Sequence, residues 1–365
     1  MADLPGLPGV LSAAQLQDTV AAIAAEQLPD GALPWSRTAQ LDAWDSVEAA
    51  MALDVGGAHA RAAAAYDWLA EHQRPDGSWA AEYRDGRVSA PAAESNHAGY
   101  LAVGVWHHWL STGDETAVVR LWPAVRRALD LVTGMQLPSG AISWALRPDG
   151  APDGTALLTG NASLFQALRC GTALAALCDD PQPDWELATE HLQTALRTRP
   201  GAFADRSRYS MDWYYPVLTG AVRGAAAEDR LAAGWDTFVV PGLGVRCVAD
   251  RPWVTGAETC ELALALAAVG RRDDAIEQLA AMQHLRADDG SYWTGLVYAD
   301  DARWPVERTT WTAAAVVLAV DAIAGTGPAA GLFADPGALQ AVVPAGAPGP
   351  SRAGSDGAGR GARAG

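Results

Sequence analysis

Lysine is absent from this chain, and all 26 basic residues are arginine. With so much alanine and glycine, the absence reads as the coding bias of a GC-rich genome, and it carries no chemistry. Positive charge is scarce as well, since 43 Asp and Glu leave a formal net charge of -17. A nucleic-acid binder sets clustered cations against phosphate, and no such cluster lies outside the last residues, so that class is excluded. No stretch reads as a membrane span. Met1 to Val10 lacks the basic start, apolar core and cleavage site of a leader peptide, which leaves the cytoplasm as the expected location. Cys170, Cys178, Cys247 and Cys260 have no C-x-x-C spacing and read as reduced thiols. Asp, Cys and His do not recur at ligand spacing, so neither a metal nor a cofactor is expected. With only 4 Phe, the bulky core load falls on Leu, Val and 15 Trp.

What is present repeats. Four times a Gln closes an apolar stretch and is followed by a Gly turn and a Trp. The copies are Gln27 with Gly31 and Trp35, Gln73 with Gly77 and Trp79, Gln136 with Gly140 and Trp144, and Gln283 with Gly290 and Trp293. A helix end, turn and aromatic recurring at intervals of tens of residues marks stacked supersecondary units. Within the motif the Asp-Gly pair is turn chemistry, with glycine supplying a positive φ, so Asp30, Asp76 and Asp289 are not catalytic candidates.

Helical periods pair off around these turns, from 15–27 with 45–55 through to 273–283 with 310–323, and predict about twelve helices in six hairpins. One set is apolar nearly all round, as in Tyr100 to Val105, Leu262 to Leu266 and Ala313 to Val320, which suits helices buried on two sides. The predicted fold is all-α: an α/α toroid, or six-hairpin barrel, over residues 1–325 with the apolar set inside. An open helical solenoid uses the same periods and is the alternative. Residues 326–365 change to Gly, Ala, Pro and Arg and read as a largely disordered tail, mobile from about 345 and dispensable for activity.

In a ring, every inner helix starts at the same end. That convergence gathers Trp44, Asp45 and Glu48 with Glu94, Asn96 and His97, then Asn161 with Asp212, Trp213, Tyr214 and Tyr215. Trp253, Glu258 and Glu261 join them, as do Glu307, Arg308 and Trp311. Aromatic faces accept the C–H faces of sugar rings while carboxylates and amides take hydroxyls, so an oligo- or polysaccharide is the expected partner.

Glycoside hydrolysis needs two carboxyl groups, one protonated and one ionised. Asp45 and Glu258 begin inner helices on different walls. Asp45 fits a helix N-cap that stabilises an ionised carboxylate and suits a base. Glu258, among Trp253, Ala257 and Cys260, has an apolar setting that suits an acid. Glu261, one turn on, competes for the acid role, and Asp45-x-x-Glu48 also has capping-box spacing. Asp212, Glu94 and Glu307 are further carboxyl candidates, and Arg308 is more simply a partner of these acids. The expected reaction is hydrolysis with inversion.

The stretches Trp44 to Leu53, Val103 to Leu110, Tyr209 to Val217 and Arg251 to Glu261 resemble the methylmannose polysaccharide hydrolases. The resemblance runs from about residue 8 to 325. It implies an α/α-toroid glycoside hydrolase, often labelled prenyltransferase-like, that cuts internal α-1,4-mannosidic bonds in a cytoplasmic, partly O-methylated mannan. It also implies an acidic pair on the Trp-Asp and Glu-Thr-Cys-Glu segments, matching Asp45 and either Glu258 or Glu261.

Two other classes share parts of this pattern. A terpene cyclase or prenyltransferase uses similar helical toroids, but the D-x-D-D acid of a class II cyclase is missing and the zinc ligands of a protein prenyltransferase do not occur. A non-catalytic carbohydrate-binding toroid would keep the aromatic funnel without opposed carboxylates.

Overall fold

Outer and inner helices alternate along the chain. The computed structural model describes residues 4–335 and residue 339. In order they form α1 (Ala13–Glu26), α2 (Ala43–Val55), α3 (His59–His72), α4 (Ser95–Thr112), α5 (Glu115–Gly134) and α6 (Leu158–Leu177). There follow α7 (Pro183–Thr198), α8 (Ser210–Leu218), α9 (Ala225–Phe238), α10 (Gly256–Ala268), α11 (Arg272–Ala281) and α12 (Thr310–Ala324). Even-numbered helices are inside. Each packs on the next, and α12 returns to pack on α2, so the six close into a ring. Odd-numbered helices cover them: α5 buries Leu121, Val125, Leu129 and Val132 on one face and turns Arg126 and Arg127 outward, the pattern of a helix wet on one side. The open solenoid is therefore set aside.

The repeated motif is the latch between neighbouring outer helices. Gln27 Nε2 donates to the Gly31 carbonyl at 3.0 Å and to the Arg61 carbonyl of α3 at 2.8 Å. Gln73 repeats this with Gly77 and Ala124 of α5, and Gln136 with Gly140 and Ala188 of α7. Each glycine lies against the same next helix. A Cβ on Gly31 would sit 2.5 Å from the Ala64 carbonyl oxygen, and one on Gly77 would sit 2.3 Å from that of Arg127. Both also have positive φ, +96° and +91°, so two independent constraints select glycine. In the fourth copy Gly290 presses on Asp18 of α1, which closes the outer ring. The Asp residues act within their turns, as when Asp76 Oδ1 accepts from Ser78 N at 3.0 Å.

Three details depart from the sequence expectation. The eighth helix has only nine residues and stops at Leu218, just before Gly220 takes φ +73°. Short antiparallel strands line the funnel end: β1 (Glu82–Arg84) with β2 (Arg87–Ala90), β3 (Ala93–Glu94) with β4 (Ala145–Leu146), and a five-stranded sheet. That sheet runs β5 (Val239–Val240), β6 (Gly244–Arg246), β7 (Trp253–Thr255), β8 (Gly295–Val297), β9 (Ala302–Arg303). Strands of two to four residues are too short to show a period of two. Finally, the body continues past 325 into a turn of helix, α13 (Gly331–Ala334), whose Leu332 and Phe333 are buried. Of the expected tail, 336–338 and 340–365 lie outside the described residues. No helix among the described residues is long and apolar enough to cross a membrane.

Candidate active site

Inner helices all begin at the same end, so side chains at equivalent positions lie at equal depth. The third residue is Asp45 in α2, His97 in α4, Gly160 in α6, Asp212 in α8 and Glu258 in α10. Three residues further on, roughly 4.5 Å deeper, come Glu48, Tyr100, Tyr215 and Glu261, and then Leu218, Leu264 and Leu318. The ring is thus read in levels: a polar mouth, an acid and phenol layer, and an apolar base.

The mouth is a funnel of about 390 Å³. Of the expected residues it brings together Trp44, Asp45, Glu94, Asn96, His97, Asp212 and Trp311. A larger cavity of about 840 Å³ lies to one side, between α1 and the segment entering α12. Only the smaller combines aromatic faces with carboxyls at the inner-helix starts, and the chemistry is placed there.

Asp42, not Asp45, is the N-cap of α2; its Oδ1 accepts from Asp45 N at 2.8 Å while its Oδ2 accepts from Trp35 Nε1 at 2.8 Å. Burial, then the nearby Asp42 and Glu48, hold the Asp45 carboxyl well above the usual range. The capping box does not form, because Glu48 turns inward. Its Oε1 accepts from Trp44 Nε1 at 2.8 Å and from the Tyr100 hydroxyl at 3.1 Å. Burial nevertheless pushes Glu48 up to about 7 against those donors. Trp311 Nε1 closes no hydrogen bond of normal geometry, although its approach to Glu48 also favours the carboxylate.

Glu261 accepts from the Tyr214 hydroxyl through Oε2, while Oε1 makes no hydrogen bond in the protein. Burial first, then the Glu48 carboxyl, holds Glu261 well above the ordinary carboxyl range, and its charge acts in turn on Asp45. Neither glutamate of α10 lines the funnel: Glu258 is buried beside the Cys247 thiol, and Glu261 lies with Glu48, Tyr100 and Tyr215 in the layer beneath it. Asp212 does line it, and Oδ1 accepts from Thr159 N at 3.1 Å and Oγ1 at 2.6 Å; burial raises its carboxyl. Glu94, also raised by burial, lies 3.5 Å from His97 Nε2. Asn96 Oδ1 and His97 Nδ1 are buried without a partner in the protein, as a site built for a hydroxyl-rich ligand would leave them.

Several expected binding residues are committed elsewhere. Asn161 accepts from Ile142 N at 2.6 Å and donates to the Ile142 and Leu157 carbonyls at 2.9 Å, fixing the strand-like approach to α6. Trp213 stacks on Phe238 and donates to the Arg230 carbonyl, which makes it the joint between α8 and α9. Trp253 sits on β7 and donates to the Trp304 carbonyl. Glu307 and Arg308 line the side cavity, and Arg308 is held by Asp289 and Ser291 at 2.8 Å over the Trp293 ring.

Sequence reasoning missed Trp35, Asp42, Trp144, Arg206 and Tyr209, all of which line the funnel. Trp35 and Trp144 are motif tryptophans, so their place ahead of an inner helix was the available signal. Arg206 lies over the Tyr209 ring at 4.6 Å, in the loop before α8.

No family model matches the chain. It is similar to the MMP endo-(1,4)-3-O-methyl-alpha-D-mannosidase of Mycolicibacterium hassiacum, 54% identical over 330 residues that cover 90% of this chain and 92% of that one. Among solved structures it resembles a glycosidase determined as a glutamate-to-alanine variant, with TM-score 0.70 and 16% identity, covering 86% of this chain and 96% of that one. It also resembles a sugar epimerase from a ruminal bacterium, with TM-score 0.63 and 10% identity over 84% and 96% of the two chains. The structural likenesses speak for the toroid, and the sequence relative for the chemistry. This chain is a member of the methylmannose polysaccharide hydrolase family and a glycoside hydrolase.

Proposed function

We propose that this hydrolase cuts internal α-1,4-mannosidic bonds of a partly O-methylated mannan in the cytoplasm, with inversion, using Asp45 as base and Glu261 as acid. The relative's activity supports the bond and the substrate. The funnel adds Trp35, Trp44, Trp144 and Trp311, faces that suit C–H surfaces and the methyl groups of an O-methylated sugar. Four unpaired cysteine thiols fit a reducing compartment.

The observation that carries the pair is depth: Asp45 lies on the funnel wall, and Glu261, whose charge acts on it, lies one level below. Coupled carboxyls lose protons stepwise as a set. The first leaves the member nearest water, Asp45 on the funnel wall; Glu261, enclosed one level deeper, keeps its proton for the leaving oxygen. The ionised Asp45 takes a proton from water as that water attacks the anomeric carbon. Asp212 supports a second reading, because it lines the funnel from α8, across the ring from α2.

Purified protein incubated with methylated and unmethylated α-1,4-mannooligosaccharides is expected to release shorter oligosaccharides whose new reducing ends first emerge as the inverted anomer by NMR. Glu261→Gln is expected to lose this activity but keep cleavage of an aryl mannoside with an acidic leaving group, which needs no protonation. Asp45→Asn is expected to lose both. Full activity of Glu261→Gln alongside an inactive Asp212→Asn would transfer the role to Asp212.

A further inference from the structure

The segment after α12 closes the ring at the end opposite the funnel. Gly325, at φ +66°, ends α12 with its N–H donating to the Asp321 carbonyl at 2.8 Å. Gly327 then passes so near the buried Asp321 side chain that a Cβ would lie 2.0 Å from Oδ1. α13 follows and packs on α10 and α12. Beyond it the Asp335 carboxylate lies 3.5 Å from Arg223 in the α8–α9 link, and the Leu339 carbonyl accepts from Arg169 of α6 at 3.3 Å. The described residues after α12 are therefore tied to several walls of the ring.

Phe333, 3% exposed, lines an enclosed cavity of about 10 Å³ together with Glu48, Tyr100, Tyr215 and Glu261. A space of that size holds at most one water. The groups facing Glu261 are Asp45 and Glu48 from α2, Tyr100 from α4, Tyr214 and Tyr215 from α8, Cys247 from the link after β6, and Glu258 and Cys260 on its own helix. These are carboxyls, phenols and thiols, which leaves bulk water as the medium that would stabilise a charge here.

We propose that Phe333 is a positioning residue of the hydrolase, sealing the acid level from below so that Glu261 retains the proton it delivers. This rests on the reading of Glu261 as the acid. Admitting water would weaken both the burial and the mutual repulsion that keep the cluster protonated, so the acid would be lost at lower pH.

The test is the pH profile of kcat/KM on an α-1,4-mannooligosaccharide for Phe333→Ala, with Phe333→Val as the smaller deletion should the first not fold. The alkaline limb is expected to move down by about one pH unit with KM within about twofold, and Phe333→Leu is expected to restore the limb. A variant with a native circular dichroism spectrum and cooperative melt but an unmoved alkaline limb overturns the proposal. Glu261→Gln separates the two readings: if it is active on the unactivated substrate, the acid assignment fails; if it is inactive and the limb is still unmoved, only the seal fails.

Discussion

Trp44 donates its indole N–H to Glu48 Oε1 at 2.8 Å, so an aromatic face in the funnel is fixed by a carboxyl from the level beneath it. The same oxygen accepts from Tyr100, whose ring stacks on Trp44 with centroids 4.6 Å apart. Binding surface and acid layer are therefore one hydrogen-bonded unit. Glu48→Leu would leave both donors buried without partners, at about 1–3 kcal/mol each. The expected outcome is a lower melting temperature together with a raised KM, measured by calorimetry and steady-state kinetics.

Two buried groups give stability opposite pH dependences. Glu48 is raised from 4.5 to about 7, so the fold holds its proton more tightly than the unfolded chain does; stability present below 4.5 is lost as pH rises to about 7. His107 is lowered by burial from 6.5 to about 4, so stability present above 6.5 is lost as pH falls to about 4. Each effect is on the order of 3 kcal/mol, and between pH 4.5 and 6.5 they oppose. Relative to the parent chain, the slope of melting temperature against pH across that window should become more positive in Glu48→Gln and more negative in His107→Gln. The same slope in both variants would refute the account.

The latch glycines differ from ordinary turn glycines. Gly31→Ala meets a positive φ and a backbone oxygen at 2.5 Å, whereas Gly57→Ala at φ +73° meets open space. Denaturant unfolding should show a loss of about 3 kcal/mol or more for the first and about 1 kcal/mol for the second. Equal losses would mean that the contact with α3 contributes nothing.

Asn96 and Asn161 separate binding from folding. Asn96 lines the funnel with an unpartnered oxygen, so Asn96→Ala should raise KM about tenfold, equivalent to one lost hydrogen bond, with a melting temperature near wild type. Asn161 holds the approach to α6 with three hydrogen bonds, so Asn161→Ala should lower the melting temperature and leave KM of the folded fraction unchanged.

The helices were legible because a 3.6-residue period over ten or more residues is a strong signal, and the inner set announced itself by being apolar all round. Which end gathers the polar side chains followed from the position of the Gln and Gly turns. Rotation about each helix did not follow. Trp213 follows Asp212 directly yet faces outward to Phe238, and Glu258 sits at the depth of Asp45 yet beside Cys247, because only the packed neighbours decide which way a side chain at a helix start is turned. Phe333 was hidden for a different reason. It lies in a stretch whose composition reads as tail, and four helical residues carry no periodicity.

Gly290 lies against Asp18 in the way that Gly31 lies against Ala64, so the last outer helix meets the first through the same kind of joint that links α1 to α3, α3 to α5 and α5 to α7. An open array of repeats has two terminal units, each with one bare face, and it frays from them. Here, among the described residues, every hairpin has two neighbours and no end unit is left from which melting can spread. Unfolding any one hairpin breaks two joints at once, which favours all-or-none unfolding and keeps the six helix starts around the funnel in register until the whole ring gives way.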